Sequence, residues 1–257
     1  MNRQTPAARS RLAVALDLPD GTGLLDMARR LAPEAGMLKL GLEAFAAEGP
    51  SLVRMLVDSG AGVFLDLKLH DIPNTVSRAA AAAVRTGASI LNCHALGGTE
   101  MMKAFGEGAR TAAARAGLGA PKLVAVTILT SLDAAAVRAV GLDGSPREAA
   151  LRLALLAKES GLDGVVCSPE EIETIRAALG GDFLLVVPGV RPCGEDAGDQ
   201  RRVATPTDAI RAGADLLVVG RPITGAADPA AAARAIVAEI ASALARGVLR
   251  TRVGKAR

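Results

Sequence analysis

Short runs of consecutive apolar residues alternate along the chain with longer stretches in which apolar residues recur three and four apart. The runs read as strands: Leu12–Asp17, Met37–Leu40, Val63–Lys68, Ser89–His94, Leu123–Leu129, Gly164–Cys167, Phe183–Val187 and Leu216–Val219. The stretches between them, such as Leu24-Leu25-Ala28-Leu31 and Leu151-Ala154-Leu155-Ala157, read as amphipathic helices. Continuous apolar strands belong to parallel sheets covered on both faces. Eight strand-then-helix units in 257 residues predict an α/β fold, a (β/α)8 TIM barrel. An open doubly wound sheet is the competing architecture, and the lack of a glycine-rich nucleotide turn favours the closed barrel.

Punctuation supports the helices. Asp228-Pro229 reads as a cap followed by proline in the first turn, and Ser168-Pro169-Glu170-Glu171 is similar. Gly60, Gly87, Gly117, Gly161 and Gly213 each follow a helical run, where glycine closes the last turn. No Pro-, Gly- or Ser-rich linker divides the chain, so 1–257 is expected to be a single domain. Its core is expected over 12–247, with 1–10 and the basic 248–257 as flexible ends.

Composition narrows the function. Hydrophobic residues make up 50% and charged residues 22%, enough for a large core. No apolar run approaches the ~20 residues of a membrane-spanning helix. Asp17 interrupts Leu12–Leu16 too soon for a secretion signal, so a cytoplasmic protein without membrane partners is expected. A net charge of +3, partly from the C-terminal arginines, and a chain without Trp or Tyr argue against nucleic acid as a partner. Cys93, Cys167 and Cys193 show no C-x-x-C spacing, and His70 and His94 are the only histidines, so no zinc motif forms.

In such barrels, function sits at the C-terminal ends of the strands. Those ends carry Asp17, Lys39, Asp66 and Lys68, Asn92 and His94, Thr130 and Ser131, Ser168, Pro188–Arg191, and Gly220-Arg221. Asp66 and Lys68 lie two apart and share a strand face, while Leu65, Leu67 and Leu69 face the helices. With Lys39 from the next strand and Asp71 in the following loop, two lysines and two aspartates can alternate in sign. A salt-bridge network serving only stability is the blander reading, and buried ion pairs are weak sources of stability. The loops after the last two strands carry Arg191, Gln200 and Gly220-Arg221, a phosphate-binding composition. The loop 189–203 is expected to close over such a ligand.

The segment Asp66-Leu-Lys68-Leu-His-Asp71-Ile-Pro-Asn-Thr75 resembles the signature of the orotidine 5′-phosphate decarboxylase family. Leu16-Asp17, Lys39-Leu-Gly41, Leu129-Thr130-Ser131, Val166-Cys-Ser168-Pro, Pro188-Gly-Val-Arg191-Pro, Asp199-Gln200 through Pro206, and Val218 through Thr224 follow in family order. The resemblance implies a carboxy-lyase of UMP synthesis that needs no cofactor and no metal. It implies Lys68 as proton donor to C6, Asp66 beside the substrate carboxylate, and Lys39 and Asp71 completing the catalytic charge network. Asp17 and Lys39 would hold the ribose; Ser168 and the backbone near Thr130 would read the pyrimidine edge. Pro188 would line the pocket, and Gln200 would bridge base and phosphate. Arg191, Gly220 and Arg221 would grip the phosphate. A homodimer is implied, with Asp71 and Thr75 crossing into the partner's site. The family's phosphate-contacting tyrosine, found in some members, has no counterpart here.

Other residues carry plainer expectations. His94 reads as a hydrogen-bonded structural histidine, His70 as packing or interface, and Cys93 and Cys167 as buried thiols. Met101, Met102 and Phe105 read as core or interface filling, and Cys193 has no assigned role. Two other functions compete: a Mg2+-dependent sugar-phosphate decarboxylase or aldolase on a related barrel, and a non-catalytic phosphate-binding barrel. The segments at Pro188–Pro192 and 199–202 favour the nucleotide enzyme over the first, and the complete charge set disfavours the second.

Overall fold

A computed structural model describes residues 4–18, 21–192 and 204–253. Eight parallel strands close into a barrel in sequential order: β1 Leu12–Ala15, β2 Met37–Leu40, β3 Val63–Leu69, β4 Ile90–His94, β5 Lys122–Val126, β6 Gly164–Val166, β7 Leu184–Val187 and β8 Leu216–Val219. The (β/α)8 TIM barrel expected from the sequence is therefore the fold. The strand cores match, but β1, β5 and β6 end before Asp17, Leu129 and Cys167, which lie in the loops that follow.

Helices α1 Gln4–Arg9, α2 Gly21–Leu31, α3 Leu42–Asp58, α4 Pro73–Val84, α5 Gly98–Ala116, α6 Ala134–Ala139, α7 Pro146–Glu159, α8 Ile172–Leu179, α9 Pro206–Ala212, α10 Arg221–Thr224 and α11 Pro229–Val253 surround it. The expected cap of α11 is present. Asp228 Oδ1 accepts from the N–H groups of Ala230 and Ala231, each at 3.1 Å. Gly117 closes α5 in the left-handed conformation, as expected of a glycine there. Residues 4–9 form α1, whose Ala8 is fully buried, and α11 continues to Val253.

Side chains along each strand alternate between two cores. One lies between strands and helices and takes Leu12, Val14, Leu38, Leu65, Leu91 and Leu123, along with Met101, Met102 and Phe105 of α5. The other fills the barrel with Ala13, Ala15, Phe64, Ile90, Val124, Val186, Leu216 and Val218. The period of two has a direct consequence. Stepping two residues on from the inward Ala15, Met37, Phe64, Ile90, Val186 and Val218 gives Asp17, Lys39, Asp66, Asn92, Pro188 and Gly220. The polar positions are the next layer of the barrel interior, at its C-terminal mouth.

Candidate active site

A cavity of about 410 Å³ opens at that mouth. Asp17, Lys39, Asp66, Lys68, Thr130, Pro188, Arg191, Gly220 and Arg221 line it, with Phe64, Val126, Ile128, Val166 and Val218 forming an apolar floor and wall. The structure thus brings most of the sequence-derived candidates together. Gln200 lies outside the described residues, as does Cys193. Ser168 is buried next to the cavity-lining Cys167. Its N–H donates to Glu171 Oε2 at 2.9 Å, whereas its hydroxyl finds no partner among the described residues. Asp71 and Thr75 do not line the cavity of their own chain. They lie on the exposed segment 71–75, where Asp71 Oδ1 accepts from the N–H of Ile72 at 2.6 Å.

The charged residues form a row of alternating sign. Lys39 Nζ lies 3.1 Å from Asp17 Oδ1 and 3.4 Å from Asp66 Oδ2, and Lys68 Nζ lies 2.7 Å from Asp66 Oδ1. Within one chain the outer acid of the row is Asp17, not Asp71. Burial is the largest influence on the Asp66 carboxyl and pushes its pKa up. The combined pull of Lys39 and Lys68, with hydrogen bonds from Lys68 and Asn92, outweighs it and holds Asp66 below the usual carboxylate range. The Asp66 carboxyl, in the middle of the row, is therefore ionised at neutral pH.

Elsewhere around the mouth, the chain turns after β7 at Gly189, whose φ of +76° is a conformation that favours glycine. Two residues later Arg191 reaches the cavity. Its N–H donates to Ala204 O at 3.0 Å, and Ala204 N–H donates to Gly189 O at 3.3 Å. These bonds pin together the two ends of the segment that carries residues 193–203. Arg221 enters the same side from the first position of α10. The cavity lining is thus acidic and basic by turns at the ends of β1–β3 and cationic after β7 and β8.

A model of the orotidine 5′-phosphate decarboxylase / HUMPS family matches residues 10–236. The orotidine 5′-phosphate decarboxylase of Moorella thermoacetica is 55% identical over 234 residues, covering 91% of this chain and 93% of the relative. That of Anaeromyxobacter sp. (strain K) is 58% identical over 228 residues, covering 89% and 97%. The crystal structure of the enzyme from Lactobacillus acidophilus superposes with a TM-score of 0.80 at 41% identity, covering 89% of this chain and 98% of that one. The chain belongs to the orotidine 5′-phosphate decarboxylase / HUMPS family. The matched span contains all eight strands and every residue lining the cavity.

Two features of the site go beyond the sequence reading. Asn92, 1% exposed on β4, donates from Nδ2 to Asp66 Oδ1 at 2.6 Å and accepts the backbone N–H of Lys68 on Oδ1 at 2.8 Å. The parity rule was the signal for it, since Asn92 is two residues on from the inward-facing Ile90. His94 was expected to be hydrogen-bonded, but its buried Nδ1 has no partner among the described residues, and its ring centroid lies 5.5 Å from that of His70. Burial, His70 and Lys68 lower its pKa against the opposing pull of Asp66, so the ring is neutral at pH 7. Cys93 is as inert as expected: burial pushes its thiol up to about 12.

Proposed function

We propose that the chain converts orotidine 5′-phosphate to UMP and CO2, with Lys68 as the acid that protonates C6. The observation that carries this reading is the row Asp17–Lys39–Asp66–Lys68 on the cavity wall. Loss of CO2 breaks the bond from C6 to its carboxyl carbon and leaves the electron pair in an orbital that the ring delocalises poorly. Decarboxylases commonly draw such a pair into a cofactor. In this reading the fixed ammonium of Lys68 stabilises the pair and then donates its own proton to C6, and solvent reprotonates the lysine. Preorganised charge in a water-poor cavity is the largest single source of catalysis in many enzymes. Enzymes lower barriers by roughly 8–23 kcal/mol, more than one lysine supplies. Binding energy at the distant phosphate contributes the rest by holding the ring against the row.

The other assignments follow the same wall. Asp17 and Lys39 hold the ribose hydroxyls. The Ser168 hydroxyl, without a partner among the described residues, and the chain at Thr130 meet the pyrimidine edge, and Pro188 packs beside it. Arg191, Arg221 and Gly220 receive the phosphate, with Gln200 from the loop. The exposed Asp71 and Thr75 complete the site of a partner in a homodimer. Ile72 between them is 65% exposed, a large apolar side chain suited to burial against a second copy. The cytoplasm is taken as the place of work, which suits the free buried thiols of Cys93 and Cys167.

The test is to mix purified protein with orotidine 5′-phosphate in excess chelator and follow the loss of its ultraviolet absorbance. Turnover is expected without added metal, and Lys68→Ala is expected to abolish nearly all of it while remaining folded. No turnover by the unaltered protein, or near-normal turnover by Lys68→Ala, overturns the reading.

A further inference from the structure

Strands β3 and β4 do not pair evenly. Leu65 stands opposite Leu91 and Leu69 opposite Cys93, so Asp66, Leu67 and Lys68 on one strand face Asn92 alone on the other. Such a bulge bends the strand and re-aims its side chains. At its end Lys68 adopts φ +50°, the one positive φ outside glycine among the described residues. Residues other than glycine, asparagine and aspartate rarely take this conformation, and it persists where surrounding contacts enforce it.

The Asn92 carboxamide is the contact that reaches both halves of the bulge. The Lys68 backbone N–H is a donor only, and the ionised Asp66 carboxylate is an acceptor only. One orientation of the amide satisfies both, with Oδ1 on Lys68 and Nδ2 on Asp66. Asp66 Oδ1 then receives Asn92 Nδ2 and Lys68 Nζ, while Oδ2 faces Lys39. We propose that Asn92 is a positioning residue for the decarboxylation: its side chain holds the Lys68 backbone in the left-handed turn and fixes the Asp66 carboxylate, so that the ammonium is aimed at one point in the cavity.

This inference rests on Lys68 and Asp66 acting as proposed above. Misplacing a reacting group by about 1 Å costs on the order of 10²-fold in rate. Asn92 has no place on the Arg191 and Arg221 side, so substrate affinity depends on it little. For Asn92→Ala, kcat is expected to fall on the order of 10²-fold with KM within about threefold of the unaltered enzyme. The Lys68 amide, followed by hydrogen exchange, is expected to lose protection.

Asn92→Asp keeps the size and the acceptor for Lys68 but sets a carboxylate against Asp66. Two such carboxylates share a proton as pH falls, and a protonated Asp at 92 donates to Asp66 as the amide does. The ratio of its kcat to that of the unaltered enzyme is therefore expected to rise between pH 7 and pH 5. The other titratable groups facing Asp66 are Lys39, Lys68 and His94, present in both proteins, and His94 in turn faces His70.

An inactive unaltered protein refutes the functional reading itself. With that protein active, a kcat for Asn92→Ala within threefold of normal, or a loss confined to KM, overturns the role of Asn92. Should Asn92→Ala not fold, the pH dependence of the Asn92→Asp ratio decides, and a flat ratio overturns the proposal.

Discussion

Lys68 Nζ and Asp66 Oδ1 lie 2.7 Å apart although the two residues are neighbours but one on a single strand. In a regular strand the alternation brings such side chains to the same face without aiming them at each other. Here the bulge against β4 and the left-handed backbone at Lys68 turn the ammonium back onto the carboxylate. The pair is partly desolvated, so its attraction exceeds that of a surface pair. Within one chain the row from Asp17 to Lys68 carries two negative and two positive charges. A substrate carboxylate beside Asp66 would upset that balance, and the departure of neutral CO2 would restore it.

Lys39→Met tests whether the row is coupled through Asp66. The pKa of Asp66 is lower in the fold than in the unfolded chain, so its charge adds stability above about pH 3.8, and that stability is lost as pH falls through the folded value. Removing Lys39 leaves Lys68 as the remaining cation against a strong burial effect. We expect a loss of roughly 1–3 kcal/mol at pH 7, less than the ~3–5 kcal/mol for a buried pair broken outright. The gap should shrink on acidification, because Asp66 in the variant protonates earlier. Urea unfolding at pH 7 and pH 4 measures this, and an equal gap at both values would show that Lys39 acts elsewhere.

The assignment of Asp71 to a partner's site leads to a mixing experiment. Lys68→Ala and Asp71→Ala proteins are each expected to be inactive. In a hybrid dimer one site keeps Lys68 from one chain and Asp71 from the other, while the second site loses both. Complete random exchange would restore about a quarter of normal activity. No recovery, with subunit exchange demonstrated by differently tagged chains, would place Asp71 outside the site.

The barrel and much of its mouth were legible in the chain, because both follow from a period of two. Apolar runs at regular spacing specified buried parallel strands, and the same parity that sends Phe64 inward sends Asp66 inward one step later. The bulge was not legible. Phe64-Leu65-Asp66-Leu67-Lys68 alternates as any half-polar strand does, and the uneven pairing depends on where β4 sits after the barrel closes. For that reason Asn92 was visible at a strand end without a role. The helix at 4–9 was missed for a different cause, since six residues are too short for a periodic signal, and the packing that buries Ala8 stabilises it. The His94 Nδ1, without a partner among the described residues, reflects three-dimensional surroundings that no local pattern encodes.

Gly41 offers a probe of the outer end of the row. A Cβ at this position would stand 2.8 Å from Asp17 Oδ1 and 3.2 Å from Lys39 Nζ. Its φ of −91° is accessible to alanine, so the conflict is one of space and not of backbone strain. The two neighbours differ in their freedom to yield. The Asp17 side chain is 55% exposed and can swing outward, whereas that of Lys39 is 9% exposed and held by Asp66. Gly41→Ala should therefore displace Asp17, leave the inner Lys39–Asp66–Lys68 group in place, and change stability by less than about 1 kcal/mol. If Asp17 holds the ribose, KM for orotidine 5′-phosphate should rise about tenfold, the equivalent of weakening one hydrogen bond to a charged group, with kcat little changed. Steady-state kinetics separate the outcomes. A fall in kcat instead would show that Lys39 had moved, and an unchanged KM would remove Asp17 from the binding surface.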